Sequence, residues 1–109
     1  MRSLLLSLLL ILAPILNAAS GTADEHAYPP IGVDMPLRQV SEHVYYVEGT
    51  PGAATDNEGF VSNAGFVVTG AGVVVFDVLG SPSLGYTLLQ KIRSVTDEPI
   101  VRVIVSHYH

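Results

Sequence analysis

The chain has no cysteine among its 109 residues. Disulfides are therefore excluded, as is a lipid anchor carried on cysteine. Small exported domains that bury little core are commonly stapled by disulfides. Without them, this chain must belong to a larger fold or draw stability from a bound metal. Basic residues are also scarce: five Lys and Arg face ten Asp and Glu, a formal charge of −5 at pH 7. Beyond Arg2 there are only Arg38, Lys91, Arg93 and Arg102, and they form no cluster in sequence. Nucleic acid is bound by clustered cations that neutralise phosphates, so that class of partner is excluded. A membrane-spanning run is missing too. The most apolar stretch, Leu4 to Leu16, contains Pro14 and falls short of the roughly 20 residues that a spanning helix needs.

That stretch reads instead as a targeting signal, with an uncleaved membrane anchor as the alternative. Met1-Arg2 supplies a positive start, the leucine-rich run follows, and small residues close it in Asn17-Ala18-Ala19-Ser20-Gly21-Thr22-Ala23. This is the order of a secretory signal peptide. Residues 1–23 are expected to be signal and cleavage zone, cut after Ala19, Ser20 or Ala23. The mature protein would then be exported, periplasmic or secreted, and would meet the membrane only through this segment.

Residues 24–39 form an irregular lead-in rich in proline. From residue 40 the pattern becomes that of a folded domain, taken here as 40–109. Val44 to Val47 is β-branched and aromatic and is closed by Gly49, which predicts a strand. "TPGAATDNEG" has loop composition. Phe66–Thr69 and Val73–Phe76 are two apolar runs separated by Gly70-Ala71-Gly72, a hairpin signature. Val73-Val74-Val75 is apolar on both faces, so the strand is expected to be covered on both sides. At Ser81 the period changes. Ser81 suits a helix N-cap and Pro82 the first helical position. Leu84, Leu88, Leu89, Ile92 and Val95 make an apolar stripe, and Pro99 is read as the stop. "IVRVIVS" is then expected to be a mostly buried strand. Strand, helix and strand make a βαβ unit with parallel strands and a right-handed crossover. The fold class is therefore α/β (α+β).

In such sheets, sites form at the carboxyl ends of the strands. Asp77 ends one strand of the unit, and His107 and His109 end the other. Residues i and i+2 of extended backbone point the same way, so both imidazoles can face one point while Tyr108 turns elsewhere. Zinc accepts imidazole nitrogen, and a catalytic zinc takes three protein ligands plus water. Other polar residues have plainer readings. His26 is solvated, His43 lies at a surface or packing position, and Tyr45 and Tyr46 pack in a strand. Asp56-Asn57-Glu58 is a solvated turn, with a substrate-facing role as the alternative.

"SNAGFVVTGAGVVVFDVLG", a helix and then "VRVIVSHYH" resemble the N-terminal part of the metallo-β-lactamase superfamily. The resemblance runs from Val40 to His109. It implies the first part of an αββα sandwich, with later elements lying beyond residue 109. His107 and His109 match the first two histidines of the family's His-x-His-x-Asp-His metal motif. Asn63 and Asp77 match positions that carry structural or supporting residues. The resemblance implies one or two zinc ions and a small-molecule substrate. The reaction would be attack of metal-bound hydroxide on an ester, thioester, lactone or amide carbonyl, β-lactams included. The stretch up to His109 would be inactive alone. The alternative is a non-catalytic, metal- or partner-binding exported domain of the same fold.

Overall fold

The computed structural model describes residues 28–107. The expected signal segment, His26, Tyr108 and His109 lie outside the described residues. Within them the chain forms β1 (Arg38–Ser41), β2 (Val44–Val47), β3 (Ala64–Val68), β4 (Val73–Phe76), α1 (Pro82–Val95) and β5 (Ile100–Ile104). The strands make one mixed sheet in the order β1-β2-β3-β4-β5. The first three pairings are antiparallel, and β4 and β5 are parallel. This is an α+β arrangement whose last part is the expected strand–helix–strand unit.

The local rules explain most of the elements. The β3–β4 turn closes with Thr69 Oγ1 donating to the Gly72 carbonyl at 2.7 Å. Gly72 has φ +135°, and a Cβ there would run into the Val101 side chain. Only glycine suits both demands. In α1 the Ser81 hydroxyl accepts from the Leu84 amide at 3.3 Å, with Pro82 opening the first turn. The helix stops at Val95, before Pro99. Thr96 is extended, and its amide still donates to the Ile92 carbonyl at 3.1 Å. Proline instead favours extended backbone in the residue before it.

The core lies between α1 and one face of the sheet. Leu84, Leu88 and Ile92 of the helix meet Val47, Ala64, Phe66, Val73 and Val75 of the strands. Burying each large side chain contributes roughly 1.5–3 kcal/mol. Met35 is buried in the same cluster, and Ile31, Val33 and Leu37 pack against it. The described part of the lead-in, from residue 28 on, therefore belongs to the packed structure. Its last two residues enter β1, where Arg38 pairs with Tyr46 and Gln39 with Tyr45.

Two burial expectations are corrected. β5 is exposed along its whole length, with Val101 at 56% and Val103 at 48%. Among the described residues it is an edge strand paired only to β4, and the core cluster contains none of its residues. The apolar run predicted burial, but the described residues place no second layer over it. Val74 is likewise half-buried while Val73 and Val75 are buried. Successive side chains alternate between faces, and α1 covers only one of them.

Candidate metal centre

Parallel pairing brings the carboxyl ends of β4 and β5 side by side, with Phe76 opposite Ile104. The pairing continues one step further, as the Asp77 amide donates to the Ile104 carbonyl at 2.8 Å. There β4 turns sharply. Asp77 has φ +60° and Leu79 φ +67°, both left-handed. Asp tolerates that region. For Leu it costs about 1–2 kcal/mol, a strain held in place by packing of Leu79 against the core.

The turn aims the Asp77 carboxylate across to β5. Its Oδ1 accepts from the Ser106 amide at 2.7 Å, and its Oδ2 from the Ser106 hydroxyl at 2.8 Å. The Ser106 Oγ also lies 2.8 Å from His107 Nδ1. The Ser106 amide holds the Asp77 carboxyl below its ordinary pKa, the hydroxyl adds to this, and His107 lowers it further. Partial desolvation opposes the shift without reversing it. An ionised carboxylate is thus anchored at the strand ends, one residue from an imidazole.

Asp77 and His107 share a cleft of about 340 Å³, with Gly59, Ser62, Leu79, Gly80 and Val105 among its walls. His107 is exposed. Imidazole beside an anchored carboxylate suits zinc as a ligand set, and His107 fits as one ligand. Among the described residues no group of three or more His, Cys, Asp or Glu is placed to hold a metal ion. His109, the second expected ligand, lies outside the described residues.

Asn63 follows Ser62, a wall residue of the cleft. Its Oδ1 accepts from the Gly49 amide at 3.0 Å, tying the exit of β2 to the entry of β3. The backbones are close there: a Cβ on Gly49 would lie 2.5 Å from the Ser62 nitrogen. The 56–58 stretch is only partly the solvated turn that its composition suggests. Asp56 is exposed, but Asn57 is buried. Asn57 donates from Nδ2 to the Thr50 carbonyl at 2.8 Å and accepts at Oδ1 from the Gly59 amide at 3.2 Å. Glu58 accepts from the Gly32 amide at 2.8 Å. These bonds satisfy backbone groups that a wide loop would otherwise leave open, and they position Gly59 in the cleft.

The remaining polar residues stand apart from the cleft. His43 occupies the exposed β1–β2 turn, 3.9 Å from Glu42. Tyr45 stacks on Phe66 with ring centroids 5.1 Å apart. Ser106 is the residue that the sequence reading passed over. Its signal was a hydroxyl immediately before a histidine at one strand end, with an aspartate closing the neighbouring strand. Among the described residues no helix is long and apolar enough to cross a membrane. Compared with known families, residues 57–109 match the model of the metallo-beta-lactamase superfamily, which takes in β3, β4, α1, β5 and His107. No curated protein matches the chain.

Proposed function

Residues 57–109 belong to the metallo-beta-lactamase superfamily, and from that premise we propose that the chain is the N-terminal part of an exported zinc-dependent hydrolase. Members of the superfamily are typically hydrolases and commonly bind zinc. The observation that carries the reading is the Asp77–Ser106–His107 chain of hydrogen bonds at the mouth of a cleft. In this reading His107 and His109 hold the metal, and residues beyond His109 complete its ligand set. When bound, zinc supplies Lewis-acid activation of water and of the substrate carbonyl.

The chain's own residues do the preparatory work. Asp77 joins the ends of β4 and β5 so that the histidine segment leaves the sheet at a fixed place. Asn57 and Asn63 hold the loop that walls the cleft opposite. The substrate is a small molecule with an ester, thioester, lactone or amide carbonyl. Export places the reaction in the periplasm or outside the cell.

The test is zinc titration of the full-length protein together with hydrolysis of an ester, thioester, lactone and β-lactam panel. His107→Ala and His109→Ala should each lose zinc affinity and hydrolysis together. Stoichiometric zinc with unchanged hydrolysis in the double variant would refute the assignment. Zinc binding without turnover of any substrate would favour the non-catalytic alternative.

A further inference from the structure

Two residues stand where local rules do not call for them, and they meet in one hydrogen bond. Glu58 sits in the left-handed region at φ 55°, which glycine or asparagine occupies at less cost than a long side chain. Gly32 is the reverse case, because its φ lies outside that region. What it lacks is room for a methyl group. A Cβ there would lie 2.6 Å from Glu58 Oε1. Beyond that carboxyl group and its own chain neighbours, nothing among the described residues lies within 4 Å of it. The Gly32 amide donates to the same Oε1 at 2.8 Å. We infer that residues 28–37 form a strap that holds the β2–β3 loop (48–63) against the cleft, with Glu58 as the latch and Gly32 as its catch. The geometry stands without the hydrolase reading; the effect on substrate rests on it.

The strap is strand-like in pattern but not in pairing. Ile31, Val33, Met35 and Leu37 turn to the core at every second position, while Gly32, Asp34 and Pro36 stay exposed. That is the period of extended backbone. Pro29, Pro30 and Pro36 carry no amide proton for a ladder, and sheet pairing starts only at Arg38. Among the described residues no backbone–backbone hydrogen bond ties residues 28–37 to another element. Apolar side chains hold the strap instead, and at its start Tyr28 meets Tyr86 of α1 with ring centroids 5.8 Å apart. Proline restricts the undocked chain, so less entropy is lost when the strap seats.

The strap is fixed by packing, so the loop is the part that gains from the bond. Residues 51–56 are exposed throughout, and the loop returns to the core at Phe60. Between them Gly59 lines the cleft that holds Asp77 and His107, and Val61 and Ser62 follow on the same wall. Gly59 also faces the turn after β4: a Cβ on Gly80 would lie 3.5 Å from the Gly59 carbonyl oxygen. Glu58 is the residue before this narrow place. A left-handed conformation persists only where its surroundings hold it, and here the carboxylate is held at Gly32. Once released, residue 58 relaxes toward ordinary dihedrals, and the change of chain direction passes to Gly59. Glu58 touches no reacting atom; it is a positioning residue that acts through Gly59.

Hydrogen exchange on the full-length protein tests the latch. The Thr50 amide donates to the Phe60 carbonyl at 2.9 Å and the Gly59 amide to the Ala54 carbonyl at 2.8 Å, so both report the loop. The Val73 amide, bonded to the Pro99 carbonyl at 2.8 Å, reports the remote end of the sheet. Glu58→Ala removes the latch. Gly32→Ala displaces it from the other side, because the new methyl meets only the carboxylate. Each variant should speed exchange at Thr50 and Gly59 roughly fivefold, the scale of one exposed hydrogen bond to a carboxylate, with Val73 unchanged. The double variant should be no faster than either single one, since both remove the same contact. Glu58→Gln keeps an oxygen acceptor and should recover part of the protection. Unchanged loop exchange in both single variants, additive effects in the double variant, or equal acceleration at Val73 overturns the inference. If Glu58→Ala fails to fold, Gly32→Ala decides by the same amides. In hydrolysis of the ester panel, both variants should raise KM roughly fivefold with kcat and zinc stoichiometry as in wild type. A fall in kcat at unchanged KM overturns the positioning role. A loosened loop in a protein that turns over no substrate upholds the latch and overturns the hydrolase reading.

Discussion

Glu98 gives the most direct test of how the sheet is joined at the end remote from His107. Its Oε2 accepts from the Gly72 amide at 2.9 Å and from the Gly70 amide at 3.1 Å. One carboxylate oxygen therefore links the α1–β5 connection to the β3–β4 turn. The two bonds are not equal. The Gly72 contact is partly buried and the Gly70 contact exposed, so water replaces the second almost without loss. Hydrogen bonds to a charged group contribute about 1.5–3 kcal/mol, and an orphaned buried donor costs about 1–3 kcal/mol. Discounted for partial exposure, Glu98→Ala should cost about 2 kcal/mol. For a domain of this size 1 kcal/mol shifts Tm by roughly 4–8 °C, so the midpoint should fall by roughly 8–16 °C. Glu98→Gln keeps an oxygen acceptor without the charge and should lose about half as much. Urea denaturation followed by circular dichroism gives the energies, and hydrogen exchange at the Gly72 amide reports the bond itself. A Glu98→Ala protein within about 0.5 kcal/mol of wild type, or Gln as damaging as Ala, would refute the reasoning.

Three further outcomes follow from the packing. Leu88→Ala should cost about 2–5 kcal/mol by denaturant titration, because Leu88 is only 2% exposed beneath α1; a cost under 1 kcal/mol would mean that α1 does not carry the core. Gly49→Ala should destabilise the fold more than a surface substitution, whose effect stays within about 0.5 kcal/mol, since the added methyl meets Ser62 backbone rather than a movable side chain; thermal denaturation checks it. Asp77 titrates below its ordinary pKa in the folded state, so its contribution is fully present above the unfolded value of about 3.9 and is lost as pH falls through the lower folded value. The stability gap between wild type and Asp77→Asn should therefore narrow on the acid side in denaturation across pH, and a gap that widened there would reverse the sign.

Local chemistry made much of the architecture readable. Ser81-Pro82 marks the start of α1, Gly70-Ala71-Gly72 the hairpin, and the Leu84–Leu88–Ile92 spacing the buried face, because each depends on contacts a few residues apart. β1 was hidden for the opposite reason. "RQVS" is exposed throughout and has no apolar period, so it is a strand only because Arg38 and Gln39 find partners in Tyr46 and Tyr45. β5 misled in the other direction. Its β-branched residues predict a strand correctly, but burial depends on what lies over the strand, and residue type cannot report that. Asn57 looked like a turn residue and is one, yet its amide also replaces water for Thr50 and Gly59. In the cleft, Asp77 and His107 were legible from their places at strand ends. Ser106 was not, because its role depends on a partner 29 residues away.

That distance bears on how fold and chemistry are coupled here. A parallel pair cannot be closed by a tight turn, so β4 and β5 need the α1 crossover between them. Loop closure over such a span costs entropy before any contact between strand ends offsets it. The Asp77–Ser106 bonds depend on the register that sets Phe76 opposite Ile104. A one-residue slip of β5 would carry Ser106 away from Asp77 and turn the apolar set to the other face. The carboxylate thus confirms the register as well as orienting the imidazole. Asp77→Ala and Asp77→Asn should separate these roles. Alanine removes both acceptors and loosens the strand ends. Asparagine keeps the acceptor for the Ser106 amide, and with it the register, while removing the charge that the Ser106 hydroxyl faces. If both variants lost structure equally, the carboxylate's charge rather than its shape would be what joins the two strands.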